Sequence, residues 1–230
     1  MATSRYKYKS RKKTEPKTEI DESNPAEQSL DNENQTSGEK TTGSFIFTGD
    51  SEGKLTQWRS DNLECIKEYG EIAKGTIWTM DISYDKKFIF LGDDSGHMYQ
   101  YDIADQSLSK RYYRAHEFAL YVICIAKGPK YSDNLFTVGK KGYMKQWSIK
   151  DKKNIKKYGK IHDYAVTSMT SSSDGAYIYT AGQKGYMKQF SVERQEMTKV
   201  FKRFHDSAIY AIILLKDDKT LLTTDEMGKM

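Results

Sequence analysis

Cysteine is scarce in this chain: 230 residues hold two, Cys65 and Cys124, in unrelated strand-like runs without C-x-x-C spacing. That excludes a disulfide framework and a zinc ribbon, and both residues are expected to be buried free thiols. Long apolar runs are also missing. No stretch approaches membrane-spanning length, and the first residues are too polar for a signal peptide. With a mean hydropathy of −0.79 and 30% charged residues, the expectation is a cytoplasmic or nuclear protein without membrane association. A large excess of charge of one sign is missing too. The formal net charge of +5 arises after residue 40, because residues 1–40 carry eight basic and eight acidic side chains. Such a balance favours acidic partners only weakly.

Catalytic signatures are lacking as well. There is no G-x-S-x-G elbow, H-E-x-x-H pair, Walker-type phosphate loop or kinase signature, so the chain reads as non-enzymatic, with no cofactor and no metal. His116, His162 and His205 recur one per unit, too far apart to share a metal and better placed to anchor loops. His97 reads as a surface residue beside a turn. Asp50-Ser51-Glu52 and Asp93-Asp94-Ser95 read as solvated turns rather than calcium loops.

Residues 1–43 have scarcely an aliphatic side chain, a composition that cannot bury enough apolar surface to offset ordering entropy, so a disordered charged tail is expected there. Arg5, Lys7, Lys9, Arg11, Lys12, Lys13 and Lys17 form a basic head ahead of an acidic stretch.

The rest of the chain repeats itself. Lys141-Gly142-Tyr143-Met144-Lys145-Gln146-Trp147-Ser148 returns almost letter for letter as Lys184-Gly185-Tyr186-Met187-Lys188-Gln189-Phe190-Ser191. Looser copies run Gly53 to Trp58 and Gly96 to Tyr101. Each sets Gln before an aromatic ring, at positions 58, 101, 147 and 190, with intervals of 43, 46 and 43 residues. Propeller blades have a period of roughly 40–50 residues. Short β-branched and aromatic runs between Gly, Asp, Asn and Lys clusters predict four antiparallel strands per unit, with nothing helical. In the repeated octet, alternation places Tyr143, Lys145 and Trp147 on one face and Met144 and Gln146 on the other, both packed between units.

From about Phe45 onward these features resemble the Trp-Asp (WD) repeat β-propeller family. His116, His162 and His205 match the family's histidine, with Ala73 replacing it in one unit. Trp58, Tyr101, Trp147 and Phe190 match its aromatic, and only Tyr101 is followed by Asp, at Asp102. The resemblance places the family's turn aspartate at Glu52, Ser95, Lys141, Lys184 and Met227, so the full polar tetrad is expected to be absent from every unit. It implies an all-β propeller over 44–230 and a non-enzymatic scaffold mediating protein–protein interactions in a multi-protein complex.

The first unit begins at its second strand, and Thr223–Met230 aligns without gaps on Thr48–Leu55. About three complete and two partial blades are therefore expected, fewer than the typical four to eight of a closed propeller. The remaining blades are expected from the same gene product or from a second chain. Inner strands begin near Trp78, Tyr121, Thr167 and Tyr210, and three large rings are expected to gather at one channel mouth. With Phe118, Tyr164, Lys140, Lys141 and Lys184 in adjoining loops and turns, they compose a candidate partner-binding face. Lys110, Arg111, Arg114, Lys156 and Lys157 in or beside outer strands compose a basic rim, whose alternative use is docking on RNA or a ribonucleoprotein.

Overall fold

The computed structural model describes residues 44–201 and 203–230, within one compact unit. The expected charged tail, residues 1–43, lies outside these residues. Seventeen strands follow one another, and among the described residues there is no helix. They are β1 (Phe45–Gly49), β2 (Lys54–Arg59), β3 (Cys65–Glu71), β4 (Ile77–Ile82), β5 (Phe88–Asp93), β6 (Met98–Asp102), β7 (Ser107–Tyr112), β8 (Leu120–Ile125) and β9 (Asn134–Gly139). Then come β10 (Tyr143–Ser148), β11 (Lys153–Lys160), β12 (Val166–Ser171), β13 (Tyr177–Gly182), β14 (Met187–Ser191), β15 (Glu196–Val200), β16 (Ile209–Leu214) and β17 (Leu221–Asp225).

Neighbours in sequence pair antiparallel into five sheets: β1-β2-β3, β4-β5-β6-β7, β8-β9-β10-β11, β12-β13-β14-β15 and β16-β17. These are β-propeller blades, three four-stranded and two partial, here numbered 1 to 5 in chain order. A blade's middle strands are buried on both faces, which is why β5 and β9 read as almost continuous apolar runs.

The core lies between blades. One cluster joins Val122, Phe136 and Met144 of blade 3 to Ile161, Val166, Ile178 and Phe190 of blade 4. Another joins Phe90, Met98 and Tyr112 of blade 2 to Leu120, Leu135 and Trp147 of blade 3. Met144 and Trp147 thus serve opposite faces of β10, as the alternation predicts. The inner strands are stitched across blades by side chains. Ile123 N–H donates to Thr79 Oγ1 at 3.0 Å, Ile125 N–H to Asp81 Oδ2 at 2.7 Å, and Ile212 N–H to Ser168 Oγ at 3.2 Å.

The repeated Gln-aromatic pair has a physical cause. Tyr69 donates its hydroxyl to Gln57 Oε1 at 2.5 Å, Tyr112 to Gln100 at 2.9 Å and Tyr158 to Gln146 at 2.7 Å. Each tyrosine then meets the third-strand ring of the next blade edge-on: Tyr69 with Tyr101 at 5.3 Å between centroids, Tyr112 with Trp147 at 5.6 Å, and Tyr158 with Phe190 at 5.7 Å. The glutamine therefore aims a ring that holds the following blade.

Gly142 and Gly185 adopt φ of +79° and +74°, and a Cβ at Gly142 would stand 2.6 Å from His162 O. Only glycine takes this conformation without strain while letting the turn touch the next blade's loop. Ile161 N–H donates to Gly142 O at 2.8 Å across that contact. One of the two thiols departs from expectation. Cys124 is buried in the blade 3 and 4 core, but Cys65 is exposed, because it opens the solvent-facing outer strand β3.

Tyr158→Phe leaves Gln146 Oε1 without its donor and should cost about 1–2 kcal/mol. Tyr158→Ala also removes the ring contact and should cost roughly 3–5 kcal/mol. Urea unfolding followed by tryptophan fluorescence measures both, and equal effects of the two variants would contradict the aiming role.

Candidate functional site

The face built by the turns after each blade's second strand and the loops entering each inner strand gathers the predicted partner-binding residues. Every inner strand bulges at its second residue, with register shifts between Ile77/Thr79, Leu120/Val122, Val166/Ser168 and Ile209/Ala211. The skipped residues are Trp78, Tyr121, Thr167 and Tyr210. A bulge leaves its extra residue outside the ladder and re-aims the side chain. Trp78 and Tyr210 are each 55% exposed.

Trp78 and Tyr121 form an edge-on pair, 5.7 Å between centroids with planes at 64°. Tyr210 makes no ring contact among the described residues, because Thr167 of blade 4 stands between it and Tyr121. Two rings gather rather than three. Phe118 and Tyr164 hold the next layer, each under a cation from its own blade's turn. Lys141 Nζ lies 3.8 Å from the Phe118 centroid and Lys184 Nζ 4.6 Å from that of Tyr164.

The three repeat histidines anchor the loops that carry these rings. His116, His162 and His205 bring Nε2 to the Oγ1 of Thr137, Thr180 and Thr223 at 2.7, 2.9 and 2.8 Å. Trp147 Nε1–H donates to the same Thr137 oxygen at 2.8 Å, and Trp58 does likewise to Thr48 at 2.8 Å. In blade 5, His205 Nδ1 also meets Asp225 Oδ2 at 3.0 Å. The orienting aspartate therefore stands at the end of the second strand, two residues before the positions expected from the resemblance. Asp50, Asp93, Gly139, Gly182 and Asp225 occupy it in blades 1 to 5. The tetrad is incomplete in blades 2, 3 and 4, with Ala73 for His in blade 2 and glycine for Asp in blades 3 and 4.

Asp50 Oδ1 and Asp93 Oδ1 each accept two N–H groups of their own turns, so these acidic clusters are turn caps. His97 is partly buried rather than a free surface residue, with Nδ1 3.2 Å from Asp93 Oδ2. Among the described residues no group of three His, Cys, Asp or Glu side chains could hold a metal ion, and no helix is long and apolar enough to cross a membrane.

Blades 3 and 4 carry the same pocket twice. One, of 190 Å³, is lined by His116, Glu117, Phe118, Gly139, Lys140, Lys141, Tyr143 and Lys145. The other, of 220 Å³, is lined by His162, Asp163, Tyr164, Gln183, Lys184, Tyr186, Lys188 and Val200. Six of the eight residues in each wall correspond: histidine, acid, ring, turn lysine, tyrosine, strand lysine. A 570 Å³ trough that touches both pockets runs between them, adding Tyr121 and Lys160. Burial, and then the charge of Lys157, lower the Lys145 pKa. Its ammonium donates to Ala115 O, and Lys188 Nζ donates to Ile161 O at 2.5 Å.

Tyr143 and Lys145 were expected to pack between blades, yet Tyr143 is 48% exposed on this face, as is its counterpart Tyr186 at 42%. The letter-for-letter octet was the signal for them. The rim residues spend part of their charge internally. Lys110 Nζ donates to Lys152 O at 2.6 Å and lies 4.8 Å from the Tyr112 centroid, Arg111 donates to Tyr113 OH at 3.3 Å, and Lys156 Nζ lies 5.8 Å from the Tyr158 centroid. Arg114 takes a left-handed φ of 49° at the end of blade 2, and Lys157 pairs with Lys145 across β10 and β11.

A family model described as WD domain, G-beta repeat matches residues 153–191, from the outer strand of blade 3 through the third strand of blade 4. That segment is similar to a single WD repeat. No curated protein matches it. WD repeats support protein-interaction scaffolds in general; such domains generally bind other proteins and are typically non-catalytic.

Burial, helped by the nearby Lys145 and Lys188 ammoniums, lowers the pKa of His116 to about 3 and of His162 to about 4. An unfolded histidine titrates near 6.5. Because the folded values are depressed, the stability these neutral rings contribute is complete above that pH and is lost as pH falls below it toward the folded values. Each should cost on the order of 2 kcal/mol by about pH 5. Urea midpoints measured across this range should fall with acid, and His116→Asn should flatten the slope while lowering stability at neutral pH.

Proposed function

We propose that this chain is a non-enzymatic scaffold that assembles a multi-protein complex through the aromatic and basic face of its blades. The observation that carries this reading is the set of bulged residues. Trp78 and Tyr210 are held in solvent by strands whose adjoining residues Ile77 and Ile209 are buried. Rigid strands that present large amphipathic rings meet the usual description of interface anchors, since such rings contribute area at low conformational entropy. The cation-capped Phe118 and Tyr164 extend the patch and surround it with charge. The rim offers less, because Lys110 is engaged with Lys152 O of blade 3 and Arg111 with Tyr113 beside it.

Tyr121→Ala combined with Tyr210→Ala should abolish partner capture, each truncation weakening binding by roughly tenfold or more. Circular dichroism and thermal melting should stay near those of the unaltered chain, apart from about 1 kcal/mol for the lost Trp78 contact. Quantitative affinity capture compares the retained proteins. If both variants keep their partners, or if both simply unfold, the rings belong to blade packing and the face is not the docking surface.

A further inference from the structure

Blades 3 and 4 differ from blades 2 and 5 at one place, and the difference has a sign. Where blades 2 and 5 end their second strand with Asp93 and Asp225, blades 3 and 4 have Gly139 and Gly182. The following turn is Lys140-Lys141 in blade 3 and Gln183-Lys184 in blade 4, against Asp94-Ser95 and Glu226-Met227. In both of these blades, which share the pocket plan described above, glycine stands in place of a structural carboxylate and lysine enters the turn that follows. Lys145 and Lys188 add a second, partly buried ammonium to each pocket, held by one backbone carbonyl.

Among the described residues none of Lys140, Lys141, Lys145, Lys160, Lys184 and Lys188 forms an ion pair. The single carboxylate of each pocket, Glu117 or Asp163, is exposed at the end of its loop. Partly desolvated cations without counter-ions are unfavourable unless an anion completes them. The two pockets also open onto one trough, so a single extended ligand can reach both.

We propose that the twin pockets are tandem carboxylate subsites that take acidic side chains of one extended, Glu- and Asp-rich segment of a partner protein. This rests on the scaffold reading and gives it a ligand chemistry. Each carboxylate would accept from the turn lysine and from the strand lysine below it, with Tyr143 or Tyr186 flanking its aliphatic stem. The aromatic trough between the pockets would cover the intervening backbone. Binding at one pocket raises the effective concentration at the other, so affinity should depend on both.

The test uses the full chain and three fluorescein-labelled synthetic peptides of equal length, rich in Glu, in Gln or in Lys, read by fluorescence anisotropy, with poly-uridine as a fourth probe. The Glu peptide should bind best and weaken as salt is raised. Lys141→Glu and Lys184→Glu should each weaken it by about tenfold, about 1.4 kcal/mol, and the pair by more than either alone. Lys219→Glu, at the opposite end of the strands, should leave binding unchanged, and thermal melts should show every variant folded. Equal binding of the Gln or Lys peptide, an equal loss with Lys219→Glu, or poly-uridine binding that shares the Lys141 and Lys184 dependence would each overturn the acidic subsites. If no peptide binds but partner capture still depends on Tyr121 and Tyr210, the subsites fall and the scaffold reading stands; if partner capture is also lost, both fall.

Discussion

One contact sets the geometry of this molecule: a glutamine on a third strand holds the hydroxyl of a tyrosine twelve residues later, and that ring's edge meets the third-strand ring of the next blade. A blade has two apolar faces and cannot bury either alone, so its stability is made with its neighbours. The Gln57, Gln100 and Gln146 bonds remove the rotational freedom of the rings that carry this inter-blade contact. Burial pushes the Tyr112 and Tyr158 hydroxyls well above their ordinary range, so these donors stay protonated. Where blade 4 has Phe201 instead of a tyrosine, the ring leans on Phe204 and Tyr179 with no glutamine bond to aim it.

The recurrence of Gln and ring was readable from the residues because packing on both faces of a strand tolerates few alternatives. The strand plan followed from it, and each inner strand begins one residue before Trp78, Tyr121, Thr167 or Tyr210. The turn aspartate was misplaced by two residues because its role depends on backbone hydrogen bonds: Asp225 Oδ1 accepts the N–H groups of Met227 and Lys229 before its other oxygen can reach His205. Spacing from the ring does not report which side of a turn supplies a cap. The exposure of Cys65 was hidden for a similar reason, since an outer strand has the same apolar letters as an inner one but only one covered face.

The candidate face was legible in its parts and not in its grouping. Phe118, Tyr164 and the turn lysines stood out by position in the repeat, yet their cation–ring pairs depend on a loop and a turn folding together. The pockets also needed Tyr143 and Tyr186 turned outward. Alternation alone assigned Tyr143 to the interior, although it is the first residue of β10 and stands at that strand's exposed end.

The bulge in each inner strand reaches beyond geometry. Its residue makes no ladder pair, so the sheet's register places little demand on its identity. Trp78, Tyr121, Thr167 and Tyr210 differ accordingly, while the residues just before them, Ile77, Leu120, Val166 and Ile209, are all buried aliphatics. The fold thus keeps four addresses at which chemistry can be rewritten without renegotiating the frame. A lineage of such chains could change what it recognises by single substitutions there, with the blades themselves left unaltered.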